Sequence, residues 1–319
     1  MFGFRSDGIK LKGIDPIQKI IPHIMSSRHD SQNSTKYELR CEPLDNFIRS
    51  ERRNGNNFNY FHILICGILR TLALYPRLNR FVMNGRIYQR KYFSVSFVVK
   101  RGLSATANES TVRLTFKGTE TLSEVRDKVN AAISENNKSD SENGTDNLAN
   151  FLTRVPNIFI KMGVGLVKWL DKHGMLPKSV IAVSPFHTSF FITNLKSIKG
   201  DYIYHHLYDF GTTGLFVAMG KETMQPVVEG DQIVPGKVMN LGWVTDERFC
   251  DGFYFVTAFK HLRKFLEDPS LLMTPLDAIS EDQEVESPFK IKKRQMKEAK
   301  KTLKESKKQE KQNKKNGSK

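Results

Sequence analysis

Asp246-Glu247-Arg248-Phe249-Cys250-Asp251-Gly252 brings three carboxylates, a guanidinium and a thiol together within six residues. An ordinary glutamate titrates near ~4.3 and is a poor acceptor for a thiol proton at ~8.5, although desolvation can raise it by about two units or more. Glu247 is therefore either a weak general base in a closed channel or a solvated, inert carboxylate. Cys250 has no base at a fixed spacing beside it, so it reads as a packed thiol rather than a nucleophile. Asp251 directly before Gly252 is also a good helix cap. A second cluster, His205-His206-Leu207-Tyr208-Asp209, offers either a compensating base or ordinary hydrogen-bonded histidines. His23, His29, His62, His173, His187 and His261 show no metal-ligand spacing. Cys41, Cys66 and Cys250 form no C-x-x-C pair and read as reduced thiols, two of them buried. No metal is expected.

The elements that must hold these residues follow from periodicity. Asp15-Pro16 supplies a cap and a first-turn proline for a short helix carrying Ile17, Ile20, Ile21 and Ile24. Residues 36–44 alternate like a strand. Phe61, Leu64, Ile65, Ile68 and Leu72 mark a long buried helix over 58–75, which Pro76 stops. Strands are predicted over 92–100 and 111–116 from their β-branched and aromatic content, and an amphipathic helix over 122–133. The polar stretch 134–147 reads as a surface loop. Residues 151–176 are apolar but interrupted by charge, and are expected to form one or two helices packed on the body. A membrane-surface helix is the alternative, with Ile158, Phe159, Met162, Leu166, Trp169 and Leu170 on one face and lysines opposite. Strands return at 179–183, 189–195, 214–220 and 236–244, and Phe255, Phe259, Leu262 and Leu266 give the helix after Gly252 an apolar face.

The 319 residues, 39% hydrophobic, can bury a full core. Charge is uneven: from Lys290 onward 14 Lys and Arg face 3 acidic residues, so +11 of the +16 net charge lies there and the rest carries +5. A domain over 1–280, with a helical insertion near 134–178, and a basic, unfolded tail over 281–319 are expected. The tail has no aromatic interleaving after Phe289, so specific nucleic-acid binding is not expected, while weak association with a membrane surface remains open. No signal-peptide pattern and no run of about 18 apolar residues is present, and a cytoplasmic location is the expectation.

Four blocks, in order, resemble the catalytic domain of the 2-oxo-acid dehydrogenase acyltransferases and the chloramphenicol acetyltransferase-like superfamily. They are Tyr75-Pro76-Arg77-Leu78-Asn79 with Asn84-Gly85-Arg86-Ile87-Tyr88, Phe190-Phe191-Ile192-Thr193-Asn194-Leu195, Leu215 to Gly220, and the motif at Asp246 to Gly252. The resemblance implies an α/β two-layer domain with a mixed sheet and flanking helices, assembled as a homotrimer or a multiple of trimers. It implies a reaction in which a base deprotonates an acceptor that attacks a CoA thioester, while a hydroxyl donates to the oxyanion. Glu247 stands at the family's catalytic histidine position, Thr193 at the oxyanion hydroxyl, and Asp251 at a structural carboxylate that pairs with an arginine. Family sites lie between subunits, so Thr193 and Glu247 would meet across an interface. No room exists for a lipoyl domain, which implies a stand-alone protein. Three functions follow: an acyl-CoA-dependent acyltransferase with an altered base, an inactive relative that binds or assembles, or, from residues 151–176 and the basic tail, a membrane-surface acyltransferase acting on a lipid-linked acceptor.

Overall fold

The computed structural model describes residues 5–100, 109–138, 156–286 and six positions between 289 and 297. The chain starts with strand β1 (Gly8–Lys10), and Asp15 then accepts a hydrogen bond from the Ile17 amide to open helix α1 (Pro16–Ile24). β2 (Gln32–Arg40) leads at Cys41 into α2 (Glu42–Arg53). The strand expected over 36–44 is therefore displaced. Pro43 has no N–H to lose in a first helical turn, and Glu42 and Asp45 favour the positive helix start, so the alternation ends at Arg40. α3 (Tyr60–Leu74) follows, buried on every side but its last residue, and Pro76 ends it as expected.

The chain continues through β3 (Arg80–Met83), β4 (Arg86–Arg90), β5 (Phe93–Lys100), β6 (Glu109–Phe116) and α4 (Leu122–Lys138). The loop expected over 134–147 begins inside α4, and the remainder of it lies outside the described residues. Next come α5 (Asn157–Lys172), α6 (Lys178–Val183), β7 (Phe190–Asn194), β8 (Leu215–Glu229), β9 (Gln232–Asp246) and α7 (Gly252–Glu267). Residues 179–183 are helical rather than extended. Pro177 precedes the first turn, only Ile181 of this helix is buried, and among the described residues no strand pairs with Lys178–Val183. α5 does not pack through its apolar side as expected, since Asp171 is its one buried residue.

Among the described residues two sheets form, β1-β4-β3 and a six-stranded β2-β9-β8-β7-β5-β6. The larger is mixed: β7 runs parallel to both β5 and β8, and the other pairs are antiparallel. On one face Ile192, Val217, Leu241 and Trp243 pack with α3, α4 and α7 in a single core. Phe61 of α3 meets Phe97 edge-on at 5.3 Å, and Phe259 of α7 meets Trp243 at 4.7 Å. The opposite face carries a smaller cluster of Phe191, Phe216 and Val244 under Leu207. This is the α/β two-layer architecture expected from the sequence. At the other end of the chain, Asp282 and Glu284 pair with buried Arg80, so described contacts with the body run past residue 281. Most of the basic segment beyond lies outside the described residues. Among the described residues no helix is long and apolar enough to cross a membrane.

Candidate active site after the last strand

The turn from β9 into α7 is fastened by its first and third residues. Asp246 is fully buried and takes both Nε and Nη2 of Arg248, at 2.8 and 2.7 Å. Ser31 Oγ donates to the same carboxylate at 3.2 Å, and the Arg28 guanidinium lies 3.9 Å from it. Burial pulls Arg28 down to about 10, which leaves it charged at neutral pH. Arg28 also donates to the carbonyls of Val82 and Asp209, so one carboxylate and two arginines tie four chain segments together. Phe249 folds inward against Gly214, where a β-carbon would lie 2.5 Å from its ring. The Glu247 amide donates to the Ser31 carbonyl at 2.9 Å.

With Asp246, Arg248 and Phe249 turned inward, the Glu247 side chain faces solvent. It borders a cavity of about 510 Å3 between α1, β2 and the start of α7, together with Asn33, Cys250 and Asp251. Asn33 Nδ2 donates to Glu247 Oε2 at 2.5 Å. Asp251 caps α7 by accepting from the Tyr254 amide at 2.9 Å, and Arg77 Nη1 stands 3.5 Å from its other oxygen. Burial pushes the Cys250 thiol up to about 12, so at neutral pH it is a neutral, packed group. All three cysteines are buried and free, one more than the sequence suggested.

Thr193 lies elsewhere. It is half-buried on β7, level with Ala218 of β8 and Gly242 of β9, on the face that carries Phe191 and Phe216. Glu247 is five residues beyond Gly242 and Thr193 two strands across, which separates them by roughly 20 Å within one chain. The coil after β7 crosses this face closely enough that a β-carbon at Gly242 would collide with the Ile203 carbonyl. Along this coil the His205 ring lies flat on Phe216 at 4.0 Å, with Nδ1 bound to the His206 carbonyl at 2.8 Å. Burial lowers the His205 pKa, which favours the neutral ring. His206 is exposed, 5.9 Å from the His29 ring. Neither histidine borders the Glu247 cavity.

Asn33, Ser31 and Arg28 gave no signal in sequence. They reach the turn only through the pairing of β2 with β9, in which Gln32 faces Asp246 across more than 200 positions. A second buried cluster was also missed. Asp171 binds Arg5 at 2.8 Å and His187 Nε2 at 3.1 Å, Arg5 also holds Asp7, and His187 Nδ1 meets Ser184 Oγ at 2.7 Å. Among the described residues no group of three or more His, Cys, Asp or Glu side chains is arranged to hold a metal ion.

Residues 187–274, which span β7, β8, β9, the turn and α7, match the family model described as 2-oxoacid dehydrogenases acyltransferase (catalytic domain). The structure is similar to the cubic core of the pyruvate dehydrogenase multienzyme complex, with 13% identity over 80% of this chain and 88% of that chain and a TM-score of 0.53. It is also similar to a probable dihydrolipoamide acetyltransferase from Listeria monocytogenes, with 13% identity over 80% and 92% of the two chains and a TM-score of 0.51. The dihydrolipoamide acetyltransferase of Azotobacter vinelandii gives 14% identity, 81% and 93% coverage and a TM-score of 0.51. No curated protein matches the chain in sequence. At these identities the structural likeness establishes a shared fold, and the matched segment contains Thr193, Glu247 and Asp251.

Proposed function

We propose that the protein is an acyltransferase that moves an acyl group from a CoA thioester to a thiol or hydroxyl acceptor, with Glu247 as proton acceptor. The observation that carries this is the placement of Glu247, a solvent-facing carboxylate on a turn locked by Asp246 and Arg248, on the wall of a cavity large enough for a substrate arm. In the proposed step the acceptor gives its proton to Glu247 and attacks the thioester carbonyl, whose oxygen becomes an oxyanion. Collapse of that intermediate breaks the C–S bond, and the departing CoA thiolate takes the proton back. Thr193 donates to the oxyanion from an adjacent protomer of a trimer, since its own chain holds it too far from Glu247 to act there. Asp251 positions the turn by capping α7 and pairing with Arg77.

Taking a thiol proton onto an ordinary glutamate is uphill by about four pK units, roughly 6 kcal/mol. A second function, an inactive member that binds acyl-CoA or assembles with partners, is favoured by one observation: the Asn33 amide already occupies one oxygen of Glu247.

CoA release from acetyl-CoA in the presence of a small thiol tests both. For an active enzyme, Glu247→Gln lowers kcat by about 10²- to 10⁴-fold, and Thr193→Ala lowers it by about 10²- to 10³-fold. Unchanged turnover in both variants sinks the mechanism. Wild type that binds acetyl-CoA but releases no CoA, joined with turnover in Glu247→His, identifies the inactive member instead.

A further inference from the structure

Ile158, Met162, Leu166 and Trp169 recur at helical spacing along α5 with Phe159 beside them, and each is between 48% and 64% exposed. Lys161, Lys168 and Lys172 lie along one flank of this stripe, all exposed. The helix is held to the body from its opposite side, where Asp171 is bound by Arg5 and His187. This inverts the usual arrangement, in which an amphipathic helix turns its apolar side to the core. α1 repeats it: Ile17, Ile20 and Ile24 are 69%, 55% and 72% exposed, while Pro22 is the buried residue.

The two helices border one cleft of about 450 Å3, to which α1 contributes His23 and α5 contributes Lys168 and Lys172. His23 also borders the next cleft, lined by Lys10, Lys12, Lys19 and Arg86. The carboxylates within the first cleft are already engaged, Asp171 by Arg5 and His187, and Asp209 by the Arg28 amide. Lys10, Lys12, Lys19, Arg86, Lys168 and Lys172 have no acidic partner among the described residues, and the two helices beside them each carry an exposed apolar ridge. An exposed apolar ridge flanked by cations marks an interaction site.

We propose that the α1 and α5 face docks on the surface of an anionic phospholipid bilayer. The ridges enter the boundary between headgroups and acyl chains, and the lysines meet lipid phosphates. α5 has 16 residues, a length of about 24 Å, which is short of the ~30 Å hydrocarbon core, so it lies along the surface rather than across it. Charge selects this occupant over a second copy of the chain, because two such faces brought together would oppose the lysines of one to those of the other. α1 also walls the Glu247 cavity through Gln18, Ile21 and Met25, so docking brings that cavity to the lipid surface. The inference does not depend on acyl transfer.

The test uses the full chain with vesicles of phosphatidylcholine alone or mixed with phosphatidylglycerol, read by co-sedimentation and tryptophan fluorescence. Trp243 is already buried, so a blue shift on vesicle addition reports Trp169. Binding to the anionic vesicles with a blue shift is expected. Leu166→Ser with Trp169→Ser should weaken binding by about 10-fold or more, and Lys168→Glu with Lys172→Glu by about 20-fold or more at low salt. These positions are exposed, so folding is spared. The proposal is overturned if wild type ignores anionic vesicles, if both double variants bind as wild type does, or if the apolar variant changes oligomeric state and not vesicle binding.

Discussion

Two of the buried ion-pair clusters, those around Asp171 and Asp246, differ in what they leave over. Around Asp171 every group is consumed: Arg5 takes one carboxylate oxygen, His187 the other, and Asp7 the rest of Arg5. Around Asp246 the carboxylate is likewise consumed by Arg248, Ser31 and Arg28, yet the intervening residue, Glu247, points out into a cavity. Both clusters fix backbone, and only the second fixes backbone beneath a carboxylate with capacity to spare. Burial and charge alone therefore do not mark a site; a group held in place and left incompletely satisfied does.

The contrast is broken most strongly at Asp246. Asp246→Ala strands two buried arginines and should cost about 3–5 kcal/mol of unfolding free energy in urea titration, with the cavity wall lost as well. Asp171→Ala should cost less, about 2–3 kcal/mol, because Arg5 keeps Asp7. Although burial pushes the Asp171 carboxyl up, His187 and Arg5 outweigh it and hold the group below its ordinary 3.8. Its contribution is then complete above pH 3.8 and is lost as pH falls through the lower folded value. Acid denaturation followed by circular dichroism should show a fall below that pH which Asp171→Ala lacks. The smallest effect belongs to Glu247→Gln, expected to change stability by less than about 0.5 kcal/mol. A large loss there would make Glu247 a scaffold residue like Asp171.

His62 gives a separate, milder check on pH. Burial lowers it to about 4 from 6.5, despite a hydrogen bond with Asn130. The unfolded chain binds that proton first, so stability should decline as pH falls from 6.5 towards 4, by up to about 3 kcal/mol. His62→Gln should flatten the decline.

Local chemistry made much of the fold legible. Asp15-Pro16, Pro76 and Asp251-Gly252 set helix ends where the structure has them, and the apolar strand at Phe190–Asn194 lies at the centre of the larger sheet. Alternation misled at 36–44, where a polar strand borrows its ladder from β9 and a helix starts one residue after its partner is lost. The apolar content of residues 179–183 suggested a strand, but Pro177 starts a short helix there. α5 was misjudged because periodicity reveals an apolar face and not which side of the helix is anchored. The Asp246 to Gly252 motif was visible as residues, whereas Asn33 and Arg28, which give Glu247 its setting, arrive from β2 and the segment before it by long-range pairing.

Whether the site is completed by a neighbouring chain is tested most directly by mixing two inactive variants. Glu247→Gln and Thr193→Ala protein, unfolded together and reassembled, should recover part of the wild-type CoA release, because some interfaces then combine an intact Glu247 with an intact Thr193. Each variant reassembled alone should stay inactive. A mixture no more active than its parts, from a wild type that turns over, would contradict the shared site.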